Sequence, residues 1–178
     1  MPECGSSWLA VFSGLPGTGK TALAEATARS KKVPVFSVAW VLGALAPFGV
    51  LESKRRRRIA YALLTVLARR QLDLGQSAII DGMVGEQRVR NEWRQLAEWN
   101  GALFLPVECV CSDRELHRQR IEVRQESIPG WPDPDWSHVE EMRADYEPWT
   151  EERLILDAVE PLASNCRTAL AYIDAALA

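Results

Sequence analysis

Trp8-Leu-Ala-Val-Phe12, then Gly14-Leu-Pro-Gly-Thr-Gly19-Lys20-Thr21, then the alanine-rich run over 22–30 decide how this chain folds. The first run is apolar and bounded by Gly and Ser, which predicts a buried parallel strand. The last, with Leu23 and Glu25 among alanines, predicts a helix. The eight residues between them fit Gly-x4-Gly-Lys-[Ser/Thr], the pattern of a phosphate-binding loop. A loop at that junction lets glycines bring backbone N–H groups up to phosphates, where the positive helix N-terminus adds its field. Lys20 then reaches the β- and γ-phosphates, and the Thr21 hydroxyl ligates Mg2+. The candidate nucleotide-binding residues are therefore Gly14, Leu15, Pro16, Gly17, Thr18, Gly19, Lys20 and Thr21.

The remaining chain extends this strand-helix alternation. Val33-Pro-Val-Phe-Ser37 is a second apolar run, so a right-handed parallel unit is expected at the start. A short helix over 40–45 stops at Ala46-Pro-Phe-Gly49. Ser53 is placed to cap a helix over 54–74, whose Ile59, Leu63, Val66 and Leu67 predict one stripe on the sheet. Ser77-Ala-Ile-Ile-Asp81 reads as a third strand ending in a carboxylate. Ligands of open parallel sheets lie beyond the carboxyl ends of the strands, which puts Asp81 at the Walker B position for Mg2+.

Further on, a helix over 86–100 carries Trp93 and Trp99 as packing residues, and a fourth strand spans 103–111. Cys109 and Cys111 fall on one face of that strand as small core residues. Ser112 with Glu115, and Ser137 with Glu140, have the form of capping boxes, the second helix running to about 152 with Tyr146 and Trp149 turned inward. A fifth strand over 154–157 and a helix over 163–177 close the chain. Five strands alternating with helices, with no repeat or linker, predict one α/β domain over 1–178.

Charge narrows the possible partners. A net charge of -3 gives no global basic surface, so nucleic acid is possible through a local patch but is not favoured. Lys54-Arg55-Arg56-Arg57-Arg58 places cations where the helix dipole is already positive, a conflict that an anion would remove and that solvent could also screen. Consecutive residues turn about 100°, so at most two of these arginines face one site. Arg120 and Arg124 share a helix face ahead of Ile128-Pro-Gly-Trp-Pro-Asp-Pro-Asp135. An arginine-bearing helix followed by a mobile connector suits a phosphoryl-transfer lid, here about 114–137; the alternative is pairing with Glu115 and Glu122. His117 and His138 are lone histidines with structural or exposed roles expected. Cys4, Cys109, Cys111 and Cys166 form no metal-like pairs, and neither a membrane span nor a signal-peptide pattern is present, so the expectation is a cytoplasmic protein.

The loop, the Asp ending the third strand, Cys111-Ser-Asp113 leading into an arginine helix, Ile128-Pro-Gly130 and Glu147-Pro-Trp149 together resemble the small P-loop kinase-like ATPases. That group includes chloramphenicol phosphotransferase, gluconate kinase, zeta toxins and polynucleotide kinase domains. The resemblance spans nearly the whole chain and implies a nucleoside-monophosphate-kinase-like fold: three αβα layers, a five-stranded parallel sheet of order 2-3-1-4-5 and a helical lid. It also implies ATP with Mg2+ as donor, Lys20, Asp81, Arg120 and Arg124 as catalytic residues, and Thr21 with Asp81 at the metal. One position departs. Where members with phosphotransferase activity end strand two in an Asp that takes the acceptor proton, this chain has Ala39.

Three functions follow as expectations. The first is an ATP-dependent phosphotransferase acting on a hydroxyl of a small molecule or nucleoside. The others are a polynucleotide 5'-hydroxyl kinase using the Arg55 to Arg58 turn as clamp, and a non-catalytic ATP-binding module, which Ala39 supports. The acceptor pocket is expected from 39–58 and 83–90, with Trp40 and Phe48 among its candidates. Oligomeric state is not readable from the sequence.

Overall fold

A computed structural model describes residues 7–52, 55–123 and 128–178. In chain order the elements are β1 (Trp8–Ser13), α1 (Lys20–Lys31), β2 (Val35–Ser37), α2 (Val38–Leu45), a 3-10 turn (Ala46–Phe48), α3 (Arg56–Asp73), β3 (Ala78–Gly82), α4 (Gln87–Trp99), β4 (Leu103–Val110), α5 (Arg114–Glu122), α6 (Trp136–Ala144), β5 (Leu154–Asp157) and α7 (Leu162–Leu177). The five strands are all parallel, in the order β2-β3-β1-β4-β5. The expected topology is the one observed.

β1 is central and wholly buried, which is why it reads as an unbroken apolar run. Its alternate residues serve two cores. Leu9 and Val11 join α2, α3 and α4 on one face, through Leu42, Leu64, Leu72 and Trp93. Trp8, Ala10 and Phe12 join α1 and α7 on the other, through Leu23, Ala24, Ala169 and Ile173. With β1 flanked by β3 and β4, the loop that leaves its carboxyl end opens at the middle of the sheet.

Several local expectations are corrected. The face of α3 on the sheet is Ala60, Tyr61, Leu64, Ala68 and Leu72, whereas Leu63, Val66 and Leu67 are 42%, 65% and 43% exposed. A one-residue shift turns a helix by about 100°. Small alanines at 60 and 68 let this face approach the sheet closely, and a count of large apolar residues does not see them. Trp93 is buried as expected, edge-on to Tyr61 at 5.7 Å and donating from Nε1 to Thr65 Oγ1 at 2.8 Å, while Trp99 is exposed.

Both capping boxes are displaced. α5 is capped by Asp113, which accepts from Leu116 N at 2.9 Å, and the Ser112 backbone N–H donates to Asp157 at the end of β5. α6 is capped by Asp135, which accepts from His138 N at 2.8 Å and from Ser137 Oγ at 2.7 Å. It ends at Ala144 rather than near 152, because Glu147 N donates to Gly85 O at 2.9 Å and Pro148 cannot continue a helix. The expected cap at Ser53, and Lys54, lie outside the described residues.

Candidate active site

The loop from Gly14 to Thr21 is held in shape by its own polar groups. Thr18 Oγ1 donates to Leu15 O at 2.8 Å, and Lys20 Nζ folds back over the loop to the same carbonyl at 3.4 Å. Gly17 and Gly19 have φ of 83° and 78°, and α1 begins at Lys20, so backbone N–H groups gather at the helix's positive end. Gly14 is required by crowding: a Cβ there would lie 2.2 Å from the Cys109 carbonyl oxygen and 2.8 Å from Thr18 Oγ1. Thr21 follows in the first turn of α1.

Asp81 is in register with Phe12 on β1 and Ser37 on β2, near the carboxyl end of β3, and is 1% exposed. Thr21 and Asp81 line one cavity together, and with Glu25 also line a smaller adjoining hollow of about 210 Å³. Hydroxyl and carboxylate oxygens are the hard donors that suit Mg2+, which takes its remaining oxygens from water and phosphate. The donor set therefore fits such an ion.

α5 and α6 form the helical lid over the loop. Leu15 packs with Ile121 of α5 and Val139 of α6. His117 is buried between these elements. Arg143 Nη2 lies 3.0 Å from its Nδ1, and arginine only donates, so the ring proton sits on Nε2 and is given to Pro16 O at 2.7 Å. Burial holds its pKa below the usual imidazole value, against the Pro16 hydrogen bond and together with Arg143. The ring also stands edge-on to Trp136 at 5.3 Å. Sequence reasoning left His117 without a partner. Its position three residues before Arg120 and four before Ile121, on one helix face, is the signal that could have found it.

Arg120 is half-buried on that face, close enough to bear on the ionisation of His117 and Cys111. Arg124 lies outside the described residues, as does Cys4. Arg118 pairs with Glu122 at 2.8 Å, as the alternative reading allowed, but Arg114 pairs with Glu140 of α6 at 2.8 Å. Cys109 is core, its thiol pushed up to about 12 by burial.

A buried cation was not anticipated. Arg90 is fully buried at the start of α4; its Nη2 donates to Gly85 O at 3.0 Å and to Glu147 O, and its guanidinium lies 4.4 Å from the Trp149 ring. Trp149 Nε1 donates to Tyr146 Oη at 3.0 Å, and that hydroxyl meets Ser13 Oγ at 2.8 Å. The Glu147-Pro-Trp149 segment is thereby strapped against the end of β1.

One cavity of about 420 Å³ joins the loop to the region beyond β2. It is lined by Lys20, Thr21 and Asp81 together with Val38, Ala39, Leu42, Arg56, Arg57 and Tyr61. Its lip is the 131–135 connector, with His138 and Met142 of α6 behind. Trp40 and Phe48 are not among its walls. Expected to be mobile, the connector is docked on α2: a Cβ on Gly43 would meet Pro129 O at 2.4 Å, and one on Gly130 would meet Gly43 O at 2.5 Å. Two glycines thus let the backbones touch.

Comparison with known proteins agrees with this geometry. A family model described as an AAA domain matches residues 9–149, and the chain belongs to that family. No curated protein sequence matches it. Among solved structures it is similar to a sugar kinase from Janibacter sp. HTCC2649, with 19% identity, 94% of this chain and 95% of that one covered, and a TM-score of 0.70. A gluconokinase from Sinorhizobium meliloti 1021 gives 17% identity, 97% and 94% coverage and a TM-score of 0.72. The Mycobacterium tuberculosis APS kinase CysC, in complex with AMPPNP and APS, gives 16%, 95% and 98%, and 0.65. At these identities the likeness establishes the fold. No helix among the described residues is long and apolar enough to cross a membrane.

Proposed function

We propose that the chain transfers the γ-phosphoryl group of ATP to a hydroxyl of a small molecule or nucleoside. The observation that supports this most is that one cavity is lined both by Lys20, Thr21 and Asp81 and by Ala39, Arg57 and Tyr61. Donor and acceptor groups therefore share it. The backbone N–H groups of residues 17–21 hold the phosphates, with Lys20 on the β- and γ-phosphates. Thr21 and Asp81 would hold Mg2+, which when bound neutralises charge on the phosphates. Arg120, with Arg124, supplies guanidinium charge from the lid.

The acceptor oxygen forms a bond to Pγ as the bond from Pγ to the β–γ bridging oxygen breaks, leaving ADP. The hydroxyl proton needs a base, and position 39 has none. Of the carboxylates lining the cavity, Asp81 is assigned to the metal, and Asp133 and Asp135 of the connector are the acceptor-side carboxylates to take the proton, Asp133 being the one replaced in the test. ATP with a panel of nucleosides, antibiotics, sugars and short RNA, read by mass spectrometry, tests the reading. ADP and a phosphorylated acceptor are expected, with loss in Asp133→Asn.

A second reading, an ATP-holding module without transfer, has Ala39 in its favour. Nucleotide binding with no acceptor turned over, and transfer appearing in Ala39→Asp, would select it.

A further inference from the structure

The chemistry of the acceptor half narrows the substrate class. Its walls are Val38, Ala39, Leu42, Leu51, Met83 and Trp131. The polar side chains beside them are Ser37, Arg56, Arg57, Tyr61, Asp133, Asp135 and His138. The Tyr61 hydroxyl donates to Met83 O at 2.7 Å, and the Asp135 carboxylate is committed to the α6 cap. A polyol has a hydroxyl on nearly every carbon, and each one buried against such walls without a partner is disfavoured by about 1–3 kcal/mol. A flat or branched hydrocarbon body loses nothing there and gains from leaving water.

Charge on the same walls has one sign unmatched. Arg56 and Arg57 are half-buried in the first turn of α3, which contains no acidic residue, and the positive end of that helix lies beneath them. Arg56 is anchored, its Nη1 donating to Leu51 O at 3.3 Å. Arg57 makes no hydrogen bond or ion pair among the described residues, although Asp133 and Asp135 line the same cavity. It lies close enough to Tyr61 for its charge to be felt there. A guanidinium at a helix N-terminus, facing a largely apolar cavity, is a receptor for a carboxylate, sulfonate or phosphate. Ser37 adds a buried hydroxyl without a hydrogen-bond partner at the donor-side end of the acceptor wall.

We propose that the acceptor is a small hydroxyl compound with an apolar, aromatic-sized body and one anionic group, the anion held by Arg57 with Arg56 beside it. This rests on the phosphotransferase reading in taking the cavity as an acceptor site. A sugar acid and a neutral polyol are both disfavoured, the first by its hydroxyls and the second also by the lack of charge.

A matched pair of probes tests the chemistry without requiring turnover. 1-Anilinonaphthalene-8-sulfonate and N-phenyl-1-naphthylamine share an aromatic body and differ by the anion. With the full chain saturated by Mg2+ and a non-hydrolysable ATP analogue, both dyes should bind, and Ala39→Phe should expel both by filling the cavity. Arg57→Ala, with Arg57→Gln in case the first folds poorly, should weaken the sulfonate by at least about tenfold and leave the amine unchanged. Equal effects on the two dyes, or full retention of the sulfonate in Ala39→Phe, would overturn the proposal. The two readings fail separately. Dye binding as described with no phosphate transferred to any acceptor removes only the phosphotransferase reading, whereas efficient phosphorylation of a neutral polyol, unimpaired in Arg57→Ala, removes only this one.

Discussion

The two halves of the cavity are built by different means. On the proposed reading the donor half comes from one unbroken stretch, the 14–21 loop, of which Pro16, Lys20 and Thr21 line the cavity, plus Asp81 at the end of the neighbouring strand. The acceptor half is gathered from α2, the first turn of α3, residue 83 and the 131–142 segment, and its groups are side chains. A one-loop site tolerates little change and serves one ligand shape. A side-chain site assembled from distant segments can change its acceptor by substitution without disturbing the loop.

If that division is real, changes in the donor half should have the largest effects. Gly14→Ala forces a Cβ to within 2.2 Å of a backbone carbonyl that cannot withdraw without moving β4. Destabilisation of at least about 3 kcal/mol is expected, or a melting temperature lower by roughly 6–12 °C. An unchanged melting temperature would mean that β1 and β4 are not locked together at this point. Lys20→Ala should leave stability nearly unaltered and lower ATP affinity by at least about a hundredfold in calorimetry, through loss of charge-assisted hydrogen bonds. Retained micromolar affinity would remove the loop from nucleotide binding.

The same division explains what could be read in advance. The loop and Asp81 depend on local pattern, so residues 8–21 and 77–81 sufficed to place them, whereas the strand order followed from the family resemblance and not from any spacing. The buried face of α3 did not follow from its large apolar residues, because the alanines at 60 and 68 owe their burial to the sheet they meet. His117 bonds a carbonyl 101 residues away, and Arg90 one 57 residues away. No spacing rule carries those distances. That at most two of Arg55 to Arg58 could face one site was legible, but not which two, nor the apolar walls around them.

Arg90 tests the strap next. Arg90→Met keeps most of the volume and leaves Gly85 O and Glu147 O without their donor. Loss of about 2 kcal/mol is expected, less than a doubled penalty because a buried charge is also removed. Trp149 should become more exposed, read as a red-shifted emission; an unchanged emission would mean that Arg90 does not hold the strap in place.

The smallest effect should come from His117, which joins the halves by holding Pro16 of the loop against the lid. In the unfolded chain the ring takes up a proton near its ordinary 6.5; in the fold, burial holds the value lower, with Arg143 and Arg120 acting in the same direction and the Pro16 hydrogen bond and Glu140 opposing. Between those two values the unfolded state binds more protons, so the stability tied to neutral His117 is fully present above about pH 6.5 and declines as the pH falls through that range. A proton on Nδ1 would also turn the acceptor for Arg143 Nη2 into a donor. Thermal unfolding from about pH 7.5 to about pH 5.5 should therefore show an acid-side loss of stability that His117→Gln reduces. The variant retains an amide able to donate to Pro16 O but does not titrate. If the pH slope is the same in both proteins, the histidine is a packing residue and the donor loop is independent of the lid. If the slope flattens and ATP affinity loses its acid dependence with it, the loop and the lid are coupled through this one ring.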